Sequence, residues 1–217
     1  MRRHINEIVT LFILAGMLAA CTPARQEAQT IRYFDFGPEP ARSLPNIPAL
    51  LQVPSISAPE WLESTTIEYR LAYRDPQAVF SYVTGRWVAP PNSLLTSRLK
   101  TALGSGAGVA SPSDSIRAGC VVRVSVEDFS QTFDSTQASH VTVRARASLV
   151  ANDGKALIAQ QSFAGDRPTA TADLNGAVSA LGAGGDALVG DIVNWLAKVL
   201  DAGTLQGQAA IKQCRNT

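Results

Sequence analysis

The chain has 217 residues, 46% hydrophobic and 17% charged, with 19 Lys and Arg against 18 Asp and Glu. That balance gives no sign of the basic face a nucleic-acid partner requires, and the length suits one domain with a sizeable core. Two histidines and no Cys-x-x-Cys pair exclude a metal centre of the usual His and Cys spacing.

The first twenty residues read as a signal peptide. Arg2 and Arg3 supply a positive start, and Leu11 to Leu14 an apolar run too short for a permanent span. Leu18-Ala19-Ala20-Cys21 matches the bacterial lipobox, in which a diacylglycerol joins the cysteine thiol and the chain is cut just before it. The alternatives are a plain secretory signal and a short membrane anchor. On the lipobox reading the mature chain starts at Cys21 with a diacylglycerol and an N-acyl lipid, and no other cofactor is expected. Each buried acyl methylene contributes about 0.8 kcal/mol, so two or three chains hold a domain at a membrane. Thr22, not Asp, follows Cys21; this favours the periplasmic face of the outer membrane over the inner membrane. Loss of Arg2, Arg3 and Glu7 takes the formal charge from +1 to zero.

Residues 21–30 are a polar tether, and 31–217 the domain. Ile31 to Phe36 is a strand closed by Gly37-Pro38, and Ala49 to Ile56 a second, interrupted by Pro54. Ala58 to Leu62 is a turn that presents Trp61. Thr65 to Tyr73 alternates, with Ile67, Tyr69, Leu71 and Tyr73 on one face, and Ala78 to Thr84 returns after Asp75-Pro76 as a hairpin. Pro91 suits the first turn of a helix carrying Leu95, Leu99 and Leu103, stopped by Gly104. Residues 104–115 are a Gly- and Ser-rich loop without the Gly-Lys-Ser/Thr ending of a phosphate-binding loop.

Three alternating segments follow, Cys120–Phe129, Ala138–Val150 and Leu157–Phe163, with an Asn152-Asp153-Gly154 turn between the last two. They predict an antiparallel meander with one buried face. A long helix over 173–201 carries the stripe Leu174, Val178, Leu181, Gly185, Leu188, Ile192, Trp195, Val199, with Asp173 as N-cap and Gly203 as terminator. Gly182, Gly184 and Gly185 imply a kink or a close approach to the sheet. The expected fold is α/β (α+β): a single periplasmic domain, mostly antiparallel sheet packed by two main helices.

No catalytic set emerges. His140 stands alone after the signal, no Gly-x-Ser-x-Gly elbow occurs, and Glu127-Asp128 with Asp134 read as solvated carboxylates at a strand end. Cys120 and Cys214 remain beside the lipidated Cys21; in an oxidising compartment they are a disulfide candidate, the alternative being two buried thiols.

The order of motifs resembles the ABC-type transport auxiliary lipoprotein family, which includes the lipoprotein of the paraquat-inducible Pqi system. The resemblance rests on the lipobox cysteine, Tyr33-Phe34-Asp35-Phe36, Pro59-Glu60-Trp61-Leu62, Ile67-Glu68-Tyr69-Arg70, and Tyr82 with Arg86-Trp87. It continues through Pro90-Pro91, Leu94-Leu95, the run from Val126 to Asp134, the alternating strand to Leu149, and Asn194-Trp195-Leu196. It covers nearly the whole mature chain; the cysteine pair departs from it. The resemblance implies a periplasmic α/β domain in an MCE-type lipid transport system. There an inner-membrane ABC transporter and an MCE-domain protein move lipids between membranes. The lipoprotein would dock the MCE assembly or receive its lipid, with self-association as a homo-oligomer open. Candidate contact residues for partner or lipid are Trp61, Trp87, Phe129, Gln131 and Phe133, because aromatics favour interfaces. Core or edge packing is the alternative, and the better one for Trp87. Two other functions stay open: a free-standing lipid carrier with its own apolar cavity, and a structural envelope lipoprotein.

Overall fold

Residues 30–41, 43–104, 108–110, 118–154 and 156–215 are described by a computed structural model. The signal peptide, Cys21 and the tether up to residue 29 lie outside the described residues. In chain order the elements are β1 (Arg32–Phe34), β2 (Leu50–Gln52), a 3-10 turn (Glu60–Leu62), β3 (Thr66–Leu71), β4 (Asp75–Trp87) and α1 (Pro91–Gly104). They continue with β5 (Gly108–Ala110), β6 (Cys120–Phe133), β7 (Ser139–Ala151), β8 (Leu157–Pro168), α2 (Leu174–Val199) and α3 (Leu205–Arg215).

The strands form one open, mixed sheet. β1 runs parallel to β4, β4 antiparallel to β3, and β3 parallel to the end of β6. β7 and β8 continue antiparallel on the other side of β6. β2 lies parallel along the start of β6, on the same edge that β3 uses further on, and β5 lies outside β2. By paired length the sheet is mostly antiparallel, and the class is mixed α/β.

Alternation places the core. Val122, Val124 and Val126 of β6 are buried while Arg123, Ser125 and Glu127 are exposed. A register shift between Val126 and Asp128 then inserts one residue. The inward phase moves from even to odd positions, so Phe129 and Gln131 continue the buried face. β7 adds Val141, Val143, Ala145, Ala147 and Leu149 to it.

That face is covered by α2. Its length and composition would allow it to cross a membrane, but 67% of its most apolar window is buried. The apolar stripe therefore serves the core. Asp173 caps the helix by accepting the Gly176 N–H at 2.9 Å. The helix is continuous, and the glycines mark close approach: a Cβ on Gly184 would stand 2.8 Å from Val143 Cγ2. α1 packs Leu95, Leu99 and Leu103 into the same interior.

Several boundaries differ from the sequence reading: β1 is shorter, β4 longer at both ends, and β6 and β8 run on to Phe133 and Pro168. The strand expected over Ala49–Ile56 is confined to Leu50–Gln52, with Ser57 bridging to Ser125 beyond Pro54. Gly108–Ala110, within the expected loop, pairs with β2; three residues containing a glycine carry no periodic signal. The expected loop's other positions between α1 and β6, residues 105–107 and 111–117, lie outside the described residues. The long helix expected over 173–201, α2, ends at Val199, where the Leu200 N–H donates to Leu196 O, and Gly203 lies in the turn that follows. The expected pair of main helices is joined by a third, α3, whose Gly207, Ala210, Ile211 and Cys214 are buried at helical spacing.

Candidate functional site

The five singled-out residues fall in three places. Trp87 and Phe129 are interior, each 1% exposed. They pack with Phe36 at ring-centroid distances of 5.5, 5.6 and 6.1 Å. For these two the geometry is that of core packing: their rings face one another, and a partner would have to open the core to reach them.

Gln131 is fully buried and acts as a polar hub. Its Oε1 accepts the Tyr82 hydroxyl at 2.5 Å; its Nε2 donates to Ser139 Oγ at 2.8 Å and to Asp173 O at 3.4 Å. Ser139 Oγ in turn meets Thr169 Oγ1 at 2.6 Å. One side chain thus ties β4, β6, β7 and the N-terminus of α2. Burial, then the neighbouring Tyr69 and the Asp173 carboxylate, push the Tyr82 phenol above its ordinary range, so it stays a neutral donor.

Phe133 continues the Gln131 face and is half-buried in an aromatic rim. Tyr69 stands 4.7 Å from Tyr82, 5.5 Å from Phe80 and 5.7 Å from Phe133, ring centre to ring centre. This rim lies beyond Asp173, where α2 begins. Trp61 is elsewhere, in the 3-10 turn, with the Arg70 guanidinium 5.7 Å from its ring centre. Its ring also packs against the core, away from the Tyr69–Phe133 rim.

Cys120 and Cys214 are bonded, with Cα atoms 4.9 Å apart, and fasten α3 to the start of β6. Gly119 permits the approach, because a Cβ there would overlap the Cys214 carbonyl oxygen at 1.2 Å. Cys21 lies outside the described residues.

Several ionisable groups have partners, and Glu127 and Asp128 lie within β6 rather than at the strand end expected from the sequence. Glu127 meets Arg146 at 3.2 Å, Asp128 accepts the Ser130 hydroxyl at 2.6 Å, and Asp134 meets His140 Nδ1 at 2.9 Å. Arg98 bridges to Asp186 at 3.2 Å and Glu39 at 3.7 Å, and donates to Gly37 O at 2.7 Å. It stands beside a cleft of about 340 Å³ between α1 and α2 that also holds Leu44, Thr101 and Val189. Among the described residues no group of three or more His, Cys, Asp or Glu is placed to hold a metal. The arrangement offers aromatic and apolar contact surface and no described nucleophile–base set.

Sequence reasoning missed Tyr69, Phe80 and Tyr82 as companions of Phe133 and Gln131. The alternation of Tyr69 was legible; its closeness to Phe133 depends on β3 pairing in parallel with β6.

The model of the ABC-type transport auxiliary lipoprotein component family matches residues 35–193. The crystal structure of protein XCC0632 from Xanthomonas campestris is similar with a TM-score of 0.66 and 20% identity, over 81% of this chain and 100% of that one. That of an uncharacterized protein is similar with a TM-score of 0.58 and 19% identity, over 77% and 99%. At these identities the likeness is one of fold. No curated protein matches the sequence.

Proposed function

The chain belongs to the ABC-type transport auxiliary lipoprotein family, and on that premise we propose that it is the outer-membrane-anchored, periplasmic accessory of an MCE-type lipid transporter. In this reading residues 1–20 are the signal peptide, Cys21 carries the lipid, 21–30 are the tether and 31–217 the working domain. The domain docks an MCE-domain protein, or takes over its lipid, as that protein and the subunits of an inner-membrane ABC transporter move lipid between membranes. It acts without catalysis of its own.

The observation that carries the proposal is the lipobox cysteine nine residues ahead of Thr30, where the described domain starts. A short tether keeps the domain within reach of one membrane surface. Trp61 and Phe133, both half-buried, are the first contact residues to examine; large aromatics at the rim of a surface are favoured anchors.

The test is in vivo crosslinking, then mild-detergent pull-down of the C-terminally tagged chain from native membranes. Recovery of an MCE-domain protein is the expected result, weakened by Trp61→Ala or Phe133→Ala. Failure to recover one, with phospholipid bound to the purified chain, would favour a free-standing carrier. Crosslinked multiples of the chain would report a homo-oligomer in the same experiment.

A further inference from the structure

The outward face of the β1–β4 pair carries apolar side chains that the core does not use. β1 and β4 pair Phe34 with Trp87 and Tyr33 with Arg86. Trp87 points into the core, so Tyr33 and Arg86 share the opposite face of the pair; at the open edge of β1, Tyr33 and Val88 also border a cleft with Val178 and Gly182 of α2. Ile31 alternates with Tyr33, and Val88 with Arg86. Val83 follows Tyr82, whose hydroxyl meets Gln131 on the inward side, so Val83 turns outward; the β3–β4 register shift then changes the phase before Trp87. Their exposures are 44% for Ile31, 65% for Tyr33, 71% for Val83 and 55% for Val88. Together they make an apolar strip, interrupted by the half-buried Arg86, at the edge of the sheet.

The strip begins where the tether ends. Thr30 is the first described residue, and Cys21 is nine residues upstream. Nine residues span at most about 30 Å when fully extended. The anchored end therefore stays within a few strand-lengths of Ile31. A tether also makes any contact with its own membrane intramolecular, so a contact too weak to bind free protein is enough to orient a tethered one.

We propose that Ile31, Tyr33, Val83 and Val88 rest against the lipid surface that holds Cys21 and so fix how the domain stands on the membrane. The chemistry fits a bilayer interface. An exposed tyrosine places its ring at headgroup level with its hydroxyl in water, while valine and isoleucine side chains enter the boundary of the acyl region. This proposal rests on the lipid anchor at Cys21 and extends it from attachment to orientation. The Tyr69–Phe133 rim, which includes Phe80 and Tyr82 on the other face of β4, is then left for a protein partner.

The experiment uses the full lipidated chain in vesicles of phosphatidylethanolamine and phosphatidylglycerol, part of the lipid brominated high on its acyl chains. Mass spectrometry of the N-terminal peptide and flotation with the vesicles report the anchor. Tryptophan emission gained by Tyr33→Trp, relative to the parent chain, reports the strip. Leu205→Trp is the comparison, since Leu205 is exposed on α3, which is tied to β6 three strands from β1. The expected result is loss of the added emission for Tyr33→Trp and none for Leu205→Trp. Ile31→Ser, Val83→Ser and Val88→Ser together should restore it, with circular dichroism unchanged because all three side chains face solvent. A floating chain whose Tyr33→Trp emission is unquenched overturns the orientation and leaves the anchor standing. So does unquenched emission accompanied by crosslinks between copies at the strip, which would assign the strip to a second copy of the chain. A chain that neither carries lipid nor floats removes both.

Discussion

Gln131 shows how one amide can specify several elements. It satisfies Tyr82, Ser139 and the Asp173 carbonyl from a fully buried position. Gln131→Leu keeps the volume and removes the partners, leaving the Tyr82 hydroxyl without an acceptor. The expected loss is about 1–3 kcal/mol in urea unfolding, the usual cost of an unsatisfied buried group. Asp173 has a different signature. The Gly176 N–H first, then the Thr171 hydroxyl, hold its carboxyl below the ordinary 3.8. A carboxylate with a lowered folded-state pKa stabilises the fold above the unfolded-state value and loses that contribution as pH falls through the folded value. Asp173→Ala should therefore cost about 1 kcal/mol near neutral pH, and the gap to wild type should close as acid titration passes below the ordinary carboxyl range. Thermal melts across pH check both halves.

At the scale of elements, α3 is the appendage to examine. It lies beyond the residues matched by the family, 35–193, and is held by Cys214 and by Ala210 and Ile211. The disulfide closes a separation of 94 residues, a long loop whose closure lowers the entropy of the unfolded chain. Cys214→Ser should lower stability by about 2–5 kcal/mol, and amide exchange should rise first in α3, because few other contacts hold it. Gly119→Ala should weaken the same junction from the opposite side, since its Cβ has no room beside the Cys214 carbonyl; a lowered melting temperature with α3 exposed first is the readout. α2 behaves otherwise. Its apolar stripe is long enough for a membrane, yet it is buried against β6, β7 and β8. Gly184 marks where helix and sheet come too close for a side chain.

For the whole molecule, the fold sets one face against the other. The inward face of the sheet is closed by α1 and α2, except at the aromatic rim beyond Asp173. The outward face is polar along β6 and β7 and apolar at the β1–β4 edge. Residues 22–217 exported behind an ordinary cleavable signal, without the lipobox cysteine, should leave membranes on fractionation with the circular dichroism of the lipidated chain. Retention on membranes would point to the strip or a protein partner as the main tether.

The family, the meander and both long helices were legible along the chain, because alternation, helical stripes and short motifs are local properties. Leu95, Leu99 and Leu103 announced α1, and the strand from Ser139 to Ala151 announced itself by its alternation. α3 had a readable stripe at Gly207, Ala210, Ile211 and Cys214, but a short helix of low apolar content gives a weak signal. Other features had no local trace. The phase of β6 beyond Val126 depends on one inserted residue, and that residue decides that Phe129 and Gln131 look inward. Trp87 and Phe129 resemble surface anchors in composition and become core because β1, β4 and β6 bring Phe36 between them. Sheet order did the same for Tyr69, which reaches Phe133 only because β3 pairs in parallel with β6. Periodicity records which side of its own strand a residue occupies; only the pairing of distant strands decides what stands opposite it.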